Sequence, residues 1–323
     1  MSRLAAFRIG QREALLVGLL IALYAAIGSD ESAFVSRLNI TNVLYDASTV
    51  AIIAVGAGIV IIGGGIDISV GSALAATATI AGLVAQTGAN GWFALFAGIA
   101  AGAGLGLING ILIVGLRIAP IVATLATLGI FRGVLAQTTK SSLVGNFPGS
   151  FSTFGQSRFL TLPYPVWIMF AVLLAGALWM RYTGAGRTIY AIGNNPRAAR
   201  LAGIKVERYQ ALTYCISGAL AGLAGAIFAA RNGTVLPTSG AGLELLAIAA
   251  VVVGGVDIFG GKGSILGIAL GAIFLQSIAA GMVFVGVDLA WQGAIIGLTI
   301  LAAVSIFVVA QRSRQQREAR GNA

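Results

Sequence analysis

The longest stretch of this chain without a charged residue runs from Ile68 to Leu116. An ionisable side chain near the middle of a bilayer costs at least ~2.5 kcal/mol on insertion scales, so charges mark the ends of membrane spans. A spanning helix needs about 20 residues, so this stretch is long enough to cross a membrane twice. Turn-forming residues at positions 87–91 favour a reversal between the two crossings. The bilayer, rather than water, is therefore the solvent of this chain.

The remaining charges divide the rest of the chain in the same way. Only 9% of all residues are charged, whereas a soluble domain carries about a quarter. Counting a fifth helix that tolerates Arg132 and a shorter eighth helix, the sequence predicts an all-α, polytopic membrane protein with about ten transmembrane helices. The predicted spans are 14–29, 47–66, two within 68–116, 118–137, 159–180, 209–230, 244–256, 263–287 and 289–311.

The distribution of Lys and Arg predicts the orientation. Ten spans place both termini on one side of the membrane. Of the 20 basic residues, fifteen then fall on the side of the termini, four fall on the other side and Arg132 lies within a span. Because cytoplasmic loops carry the excess of Lys and Arg, both termini are predicted to be cytoplasmic, with a basic cytoplasmic tail over 311–323. The net charge of +10 thus indicates membrane topology rather than nucleic-acid binding.

Glycines recur at helical spacing in two predicted spans, which lets another helix backbone approach one face closely. The two sets are Gly98, Gly102, Gly106 and Gly110, and Gly263, Gly267 and Gly271.

A short pattern also occurs twice, because residues 64–68 (GGIDI) match residues 254–258 (GGVDI) in residue type and spacing. An internal repeat explains this match. Coincidence in a chain with 46 glycines explains it equally well.

The sequence offers little for catalysis. The string nearest to a nucleotide-binding GxxxxGK[ST] loop, at 256–263, has valine in place of the first glycine and glycine in place of the final hydroxyl residue. The chain has no histidine and ten acidic residues, most of them at the ends of spans, so we predict no catalytic residue and no metal site. Proton-coupled transport usually places an acidic residue or a histidine in the middle of a span, and the charge-free predicted spans offer none.

The cytoplasmic loop 181–208 contains a short predicted helix with clear limits. Asn195 suits the N-cap, Pro196 the first turn, and Gly203 the left-handed stop. Arg197 and Arg200 lie three positions apart and share one face. This helix either docks on a partner protein or lies against lipid headgroups, and the residues alone leave both alternatives open.

Several polar residues in or beside the spans are candidates for the transport pathway. Asp67 and Ser69 follow the second span within a glycine-rich bend. Asp67 either caps the third helix or lies where a broken helix lines the pathway. Asn109, Thr124 and Thr127 can bind sugar hydroxyls, although such residues more often bond to a neighbouring helix.

Three ordered motifs give the chain a family resemblance. They lie in residues 64–72 (GGIDISVGS), 186–204 and 247–261 (AIAAVVVGGVDIFGG). With them, nearly the whole chain resembles the permease subunits of ribose-type ABC importers, which carry pentoses, rhamnose or autoinducer-type sugars. The resemblance implies one transmembrane permease domain over 1–323 and a coupling function for loop 181–208. The implied coupling residues are Asn194, Asn195, Pro196, Arg197, Ala198, Ala199, Arg200 and Gly203.

The resemblance also implies partners. These are a cytoplasmic ATPase that binds ATP and Mg²⁺, a periplasmic or lipid-tethered sugar-binding protein, and a second permease copy or paralogue. The permease itself then binds no cofactor and lies in the bacterial inner membrane. A stand-alone channel or secondary transporter for small polar solutes is the alternative, and an intramembrane enzyme would need a catalytic carboxylate that the sequence does not identify.

Overall fold

The computed structural model describes residues 10–291, 293–295, 297, 298 and 301. Helices dominate it, which confirms the all-α membrane fold. Four two-residue strands form two small antiparallel pairs, β1 with β4 and β2 with β3. The strands are β1 Val144–Gly145, β2 Arg158–Phe159, β3 Leu162–Pro163 and β4 Thr234–Val235. The helices are α1 Gln11–Asp30, α2 Arg37–Ile62, α3 Val70–Gln86, α4 Gly91–Gly110, α5 Pro120–Thr138, α6 Gly149–Gln156, α7 Tyr164–Tyr182, α8 Gly184–Asn194, α9 Pro196–Leu201, α10 Val206–Asn232, α11 Leu243–Val253 and α12 Ile265–Phe284.

Among the described residues, seven helices are long and apolar enough to cross a membrane. Two shorter apolar helices, α3 and α11, match the third and eighth predicted spans. Most of the tenth predicted span, 289–311, lies outside the described residues, as does the basic tail 311–323. The count of ten spans and the cytoplasmic placement of both termini stay predictions.

Some predicted boundaries are wrong at the end of the molecule away from loop 181–208. α2 begins at Arg37, ten residues before the predicted start, with Ser36 as its N-cap. Asp46, which the prediction took as the end of a span, lies inside the helix and forms an ion pair with Arg231 of α10. α7 begins at Tyr164 rather than at position 159, since residues 158–163 form the hairpin of β2 and β3. The short helix α6 at the same end was not predicted.

The glycine face of α4 packs against α10, as the spacing predicts. A Cβ atom added to Gly102 would collide with the backbone of Gly218, and one added to Gly106 would collide with the backbone of Tyr214. Gly267 and Gly271 of α12 meet the backbone of α11 in the same way. Small residues thus bring the helices together where apolar side chains gain little by leaving lipid.

The two shorter apolar helices, α3 and α11, occupy equivalent places. α2 and α10 are antiparallel, because Gly56 lies beside Ser217 while Tyr45 lies beside Arg231. Each is followed by a non-helical segment, 63–69 after α2 and 233–242 after α10, and then by the short helix α3 or α11. The two units therefore have inverted topology. In transporters, short glycine-interrupted helices at corresponding positions indicate the functional region.

The start of α3 lies deep in the molecule. Gly71 in its first turn contacts Glu244 at the start of α11. From Glu244, α11 runs nine residues, about 14 Å, to its end at Val253. Segment 63–69 therefore turns back from the end of α2 into the interior of the molecule. The depth that it reaches is half of the ~30 Å thickness of a hydrocarbon core.

The repeated GG-[IV]-DI pattern corresponds to a repeated helix ending. Gly64 and Gly255 both have positive φ, +83° and +84°. After each of them, the next residue donates its amide to the carbonyl five positions earlier, at 3.0 and 3.1 Å. The structure therefore pairs Gly64 with Gly255, one position away from the sequence match. Each aspartate accepts the amide of the residue two positions further on, Ser69 or Phe259, and Asp67 also accepts the hydroxyl of Ser217.

Candidate functional site

The carboxylate of Asp67 is buried and bound on both oxygens. Its Oδ1 accepts hydrogen bonds from the amide and the hydroxyl of Ser69, at 3.1 and 2.7 Å. Its Oδ2 accepts one from the hydroxyl of Ser217 in α10, at 2.8 Å. Ser69 itself is the N-cap residue of α3, so Asp67 does not cap the first turn of that helix. Three donors compensate for burying the carboxylate.

The hydroxyl of Ser69 extends this site towards α4 and α5. It accepts a 2.8 Å hydrogen bond from Nδ2 of Asn109, and Thr127 donates to Oδ1 of that asparagine at 2.7 Å. Thr124 donates to the carbonyl of Pro120 at 2.9 Å and lies 3.4 Å from the carbonyl of Ile66. We call Asp67, Ser69, Asn109, Thr124, Thr127 and Ser217 the polar network.

The polar network joins segment 63–69 to three helices, α4, α5 and α10. All six members are at most 2% exposed. The structure thus brings the five predicted pathway residues together, and their hydrogen bonds run between helices, as the helix-packing alternative expects. In this arrangement the polar network can position segment 63–69. The polar network can contact a solute only if the surrounding helices separate.

Two residues of this region were not singled out from the sequence. Ser217 lies in the small-residue face of α10, where nothing distinguishes it from a packing residue. Glu244 is 9% exposed, and its Oε1 accepts a 3.1 Å hydrogen bond from the amide of Gly242. Its Oε2 is buried without a hydrogen-bond partner among the described residues and lies against Gly71. The sequence signal that could have identified Glu244 is a carboxylate in the first turn of a very short apolar helix.

The loop 181–208 folds into α8 and α9, and the predicted limits of the short helix are confirmed. Oδ1 of Asn195 accepts hydrogen bonds from the amides of Arg197 and Ala198, at 3.1 and 3.0 Å. Pro196 is the first residue of α9. Gly203 adopts φ +81°, the left-handed stop.

α9 presents most of its surface to the outside of the fold. Ala199 is buried in a small cluster with Ile192 and Val206, whereas Leu201 is 91% exposed. Arg200 pairs with Glu207 at 2.8 Å, and both side chains are about half exposed. The other predicted coupling residues are also exposed: Asn194, Asn195, Pro196, Arg197, Ala198 and Gly203.

Backbone contacts connect this loop to the end of α2. The amide of Gly261 donates a 2.8 Å hydrogen bond to the carbonyl of Ile62. A Cβ atom on Gly193, at the end of α8, would collide with that same carbonyl. Gly260 packs against Gly64, where segment 63–69 begins. We call these close-packed glycines, Gly64, Gly193, Gly260 and Gly261, the glycine junction.

A tyrosine adds a polar bond beside the glycine junction. The hydroxyl of Tyr190 in α8 donates a 2.9 Å hydrogen bond to the carbonyl of Gly263. Burial raises the pKa of the Tyr190 hydroxyl above its usual value near 10, so it remains a donor at neutral pH. Loop 181–208, the end of α2 and the segment before α12 are thus held together at one place.

A comparison with protein families decides the identity. Residues 39–304 match the family model described as the permease component of a branched-chain amino acid transport system. The chain belongs to this permease family. It is therefore a membrane transport component rather than an enzyme.

Individual relatives cover most of this permease. It is 39% identical over 291 residues to the ribose import permease protein of Escherichia coli strain K12, covering 89% of this chain and 91% of that protein. It is 36% identical over 296 residues to the autoinducer 2 import system permease protein of Klebsiella pneumoniae, covering 92% and 85%. The Salmonella typhi protein of the latter name is 33% identical over 309 residues, covering 96% and 89%. No solved structure matches the chain.

Proposed function

We propose that this protein is the membrane-spanning permease subunit of an ABC importer for a small sugar, such as a pentose, rhamnose or an autoinducer-type sugar. The observation that carries the proposal is the exposed, capped helix α9, joined through the glycine junction to the segment that holds Asp67. The sugar class rests on the names of the ribose and autoinducer 2 permeases. The protein resides in the inner membrane of a bacterium.

The cytoplasmic partner is a separate ATPase, which binds ATP and Mg²⁺. It docks on loop 181–208, with the exposed surface of α9 as the coupling element. When the ATPase closes, it displaces α9 and α8. Because glycine backbones touch at the junction, without flexible side chains between them, the displacement reaches the end of α2 and segment 63–69 directly.

The polar network receives this movement inside the membrane. Shifting segment 63–69 separates Asp67 from Ser217 or Ser69 from Asn109, since these bonds join different elements. Separation of the helices opens the polar interior to one side of the membrane, and the freed hydroxyl and amide groups face the solute. Asp67, Ser69, Asn109, Thr124 and Thr127 are thus gate residues in this proposal.

Two further partners complete the importer. A periplasmic or lipid-tethered sugar-binding protein delivers the solute to the opposite end, where the two strand pairs and α6 form a folded surface. There Trp92 and Phe154 pack edge to face with ring centroids 4.7 Å apart, and Arg231 lies over the ring of Tyr45. A second permease copy or paralogue, in the same bilayer, forms the other half of the pathway.

Reconstitution in liposomes tests the proposal against a stand-alone channel or secondary transporter. The permease is reconstituted alone, with the ATPase, and with the ATPase plus the binding protein, and uptake of labelled ribose is followed with and without ATP. We expect uptake only in the full set with ATP. Uptake by the permease alone would overturn the importer and support the alternative.

A further inference from the structure

A cavity of about 280 Å³ lies at the end of the molecule that carries loop 181–208, between α7, α8 and the start of α12. Arg181 and Arg187 line it together with Tyr190, Ala177, Ile265 and Leu266. Nothing in the proposed transport mechanism uses this cavity. From its chemistry we propose that it binds the phosphate headgroup of an anionic phospholipid of the cytoplasmic leaflet.

The first argument is the position of the cavity. Arg181 is the first charged residue after the apolar part of α7 and lies in the last turn of that helix. Loop 181–208, which follows directly, carries the largest group of basic residues between two described spans. Both facts place the cavity where hydrocarbon meets the cytoplasmic headgroups. Basic pockets between transmembrane helices on that side bind anionic lipid headgroups.

The second argument is charge. Arg187 donates one hydrogen bond, from Nη1 to the carbonyl of Tyr182 at 3.2 Å, and the guanidinium of Arg181 lies 5.5 Å from the ring of the same tyrosine. The nearby carboxylate of Glu13 accepts a 2.6 Å hydrogen bond from the lining residue Ser264. Two guanidinium groups and no carboxylate thus line the described wall of the cavity, and the forked donors of arginine suit a phosphate diester.

The third argument separates a lipid from a free phosphate ion. Apolar side chains form much of the wall, and a small anion would leave them in contact with water. On α7, Leu174 and Leu178 lie on the same helical face as Arg181, seven and three residues before it, and are 59% and 43% exposed. An acyl chain can continue from the cavity along this exposed face. The wall and the face therefore fit a phospholipid better than an inorganic ion.

Native mass spectrometry of the full-length permease in detergent tests the proposal with phosphatidylglycerol and phosphatidylcholine of identical chains. We expect phosphatidylglycerol to bind with about tenfold higher affinity or more, since basic residues near the headgroup favour the anionic lipid. Arg181→Gln/Arg187→Gln should remove this preference. The matched control, Lys205→Gln/Arg208→Gln, removes two positive charges from the same loop outside the cavity and should keep it.

A second measurement uses the unmodified chain, in case the double variant does not fold. Photoactivatable phosphatidylglycerol should crosslink to residues 174–181 and 265–269, and unlabelled phosphatidylglycerol, but not inorganic phosphate, should compete. Equal binding of the two lipids, or crosslinks confined to other helices, would overturn the proposal. Competition by millimolar inorganic phosphate alone would show instead that the cavity takes a free anion.

Discussion

The hydroxyl of Ser217 donates a 2.8 Å hydrogen bond to Oδ2 of Asp67, although the two residues lie 150 positions apart. Ser217 belongs to α10, whereas Asp67 belongs to the non-helical segment before α3. The bond therefore fixes that segment against the helix that packs most extensively within the fold. It is also one of the bonds that the proposed movement of segment 63–69 would break.

Asp67→Ala should destabilise the permease more than Ser217→Ala. Removing the carboxylate leaves buried donors of Ser69 and Ser217 without an acceptor, at about 1–3 kcal/mol for each unsatisfied group. Removing the Ser217 hydroxyl leaves Asp67 with both bonds from Ser69. Thermal unfolding in detergent measures the difference, and ribose uptake in the full importer measures function. Equal melting temperatures for the two variants would contradict the network as described.

Gly102→Ala should lower stability, while Gly104→Ala on the same helix should not. A Cβ at position 102 collides with the backbone of Gly218, which no side-chain rotation can relieve. Position 104 has open space around it, so alanine there gains the better helix propensity, up to about 1 kcal/mol. Thermal unfolding of the two variants provides a matched pair. A Gly102→Ala variant as stable as Gly104→Ala would disprove the close α4–α10 contact.

Gly71→Ala and Glu244→Ala should have non-additive effects. A Cβ on Gly71 would collide with Oε2 of Glu244 and lie 2.7 Å from the carbonyl of Gly240. Overpacking of this kind costs about 1–3 kcal/mol. Shortening Glu244 relieves the first conflict but not the second. A double-mutant cycle of unfolding free energies should therefore show the double variant to be more stable than the sum of the single effects, and strict additivity would argue against the contact.

Arg197→Glu/Arg200→Glu should abolish docking of the ATPase while leaving membrane insertion intact. Both side chains are exposed on α9. A partner surface that is complementary to their positive charge would repel the glutamates that replace them. Co-purification of the ATPase with the tagged permease is the measurement. Lys140→Glu/Arg158→Glu, at the opposite end, is the control and should retain the ATPase. Normal co-purification with the α9 variant would exclude the proposed docking role.

Asn195→Ala should weaken the same docking to a smaller extent. The Asn195 side chain accepts two amides at the start of α9, and loss of an N-cap costs about 1 kcal/mol of helix stability. Asn195→Asp keeps an acceptor and should retain docking. Titration of the ATPase against each variant compares the affinities. An alanine variant that binds like the aspartate variant would show that the cap has no part in the interaction.

Much of the architecture follows from the sequence because local physical rules decide it. Charged residues cannot remain at mid-bilayer, so charge-free stretches located the spans and basic loops gave the predicted orientation. Capping chemistry acts over a few residues, so Asn195, Pro196 and Gly203 defined α9 correctly. The glycine spacing in α4 identified a contact face in the same way, although not the helix that would cover it.

The features that depend on contacts between distant segments of the chain were decided only by the tertiary structure. The glycine-rich bend left open whether segment 63–69 turns back into the interior, because its depth is set by packing against α10 and α11. The same packing joins Asp67 to Ser217 and places Glu244 against Gly71. The charge of Asp46 inside α2 likewise has a partner from another helix, because Asp46 pairs with Arg231 of α10. Such pairings depend on tertiary packing, which residue types and their spacing do not specify.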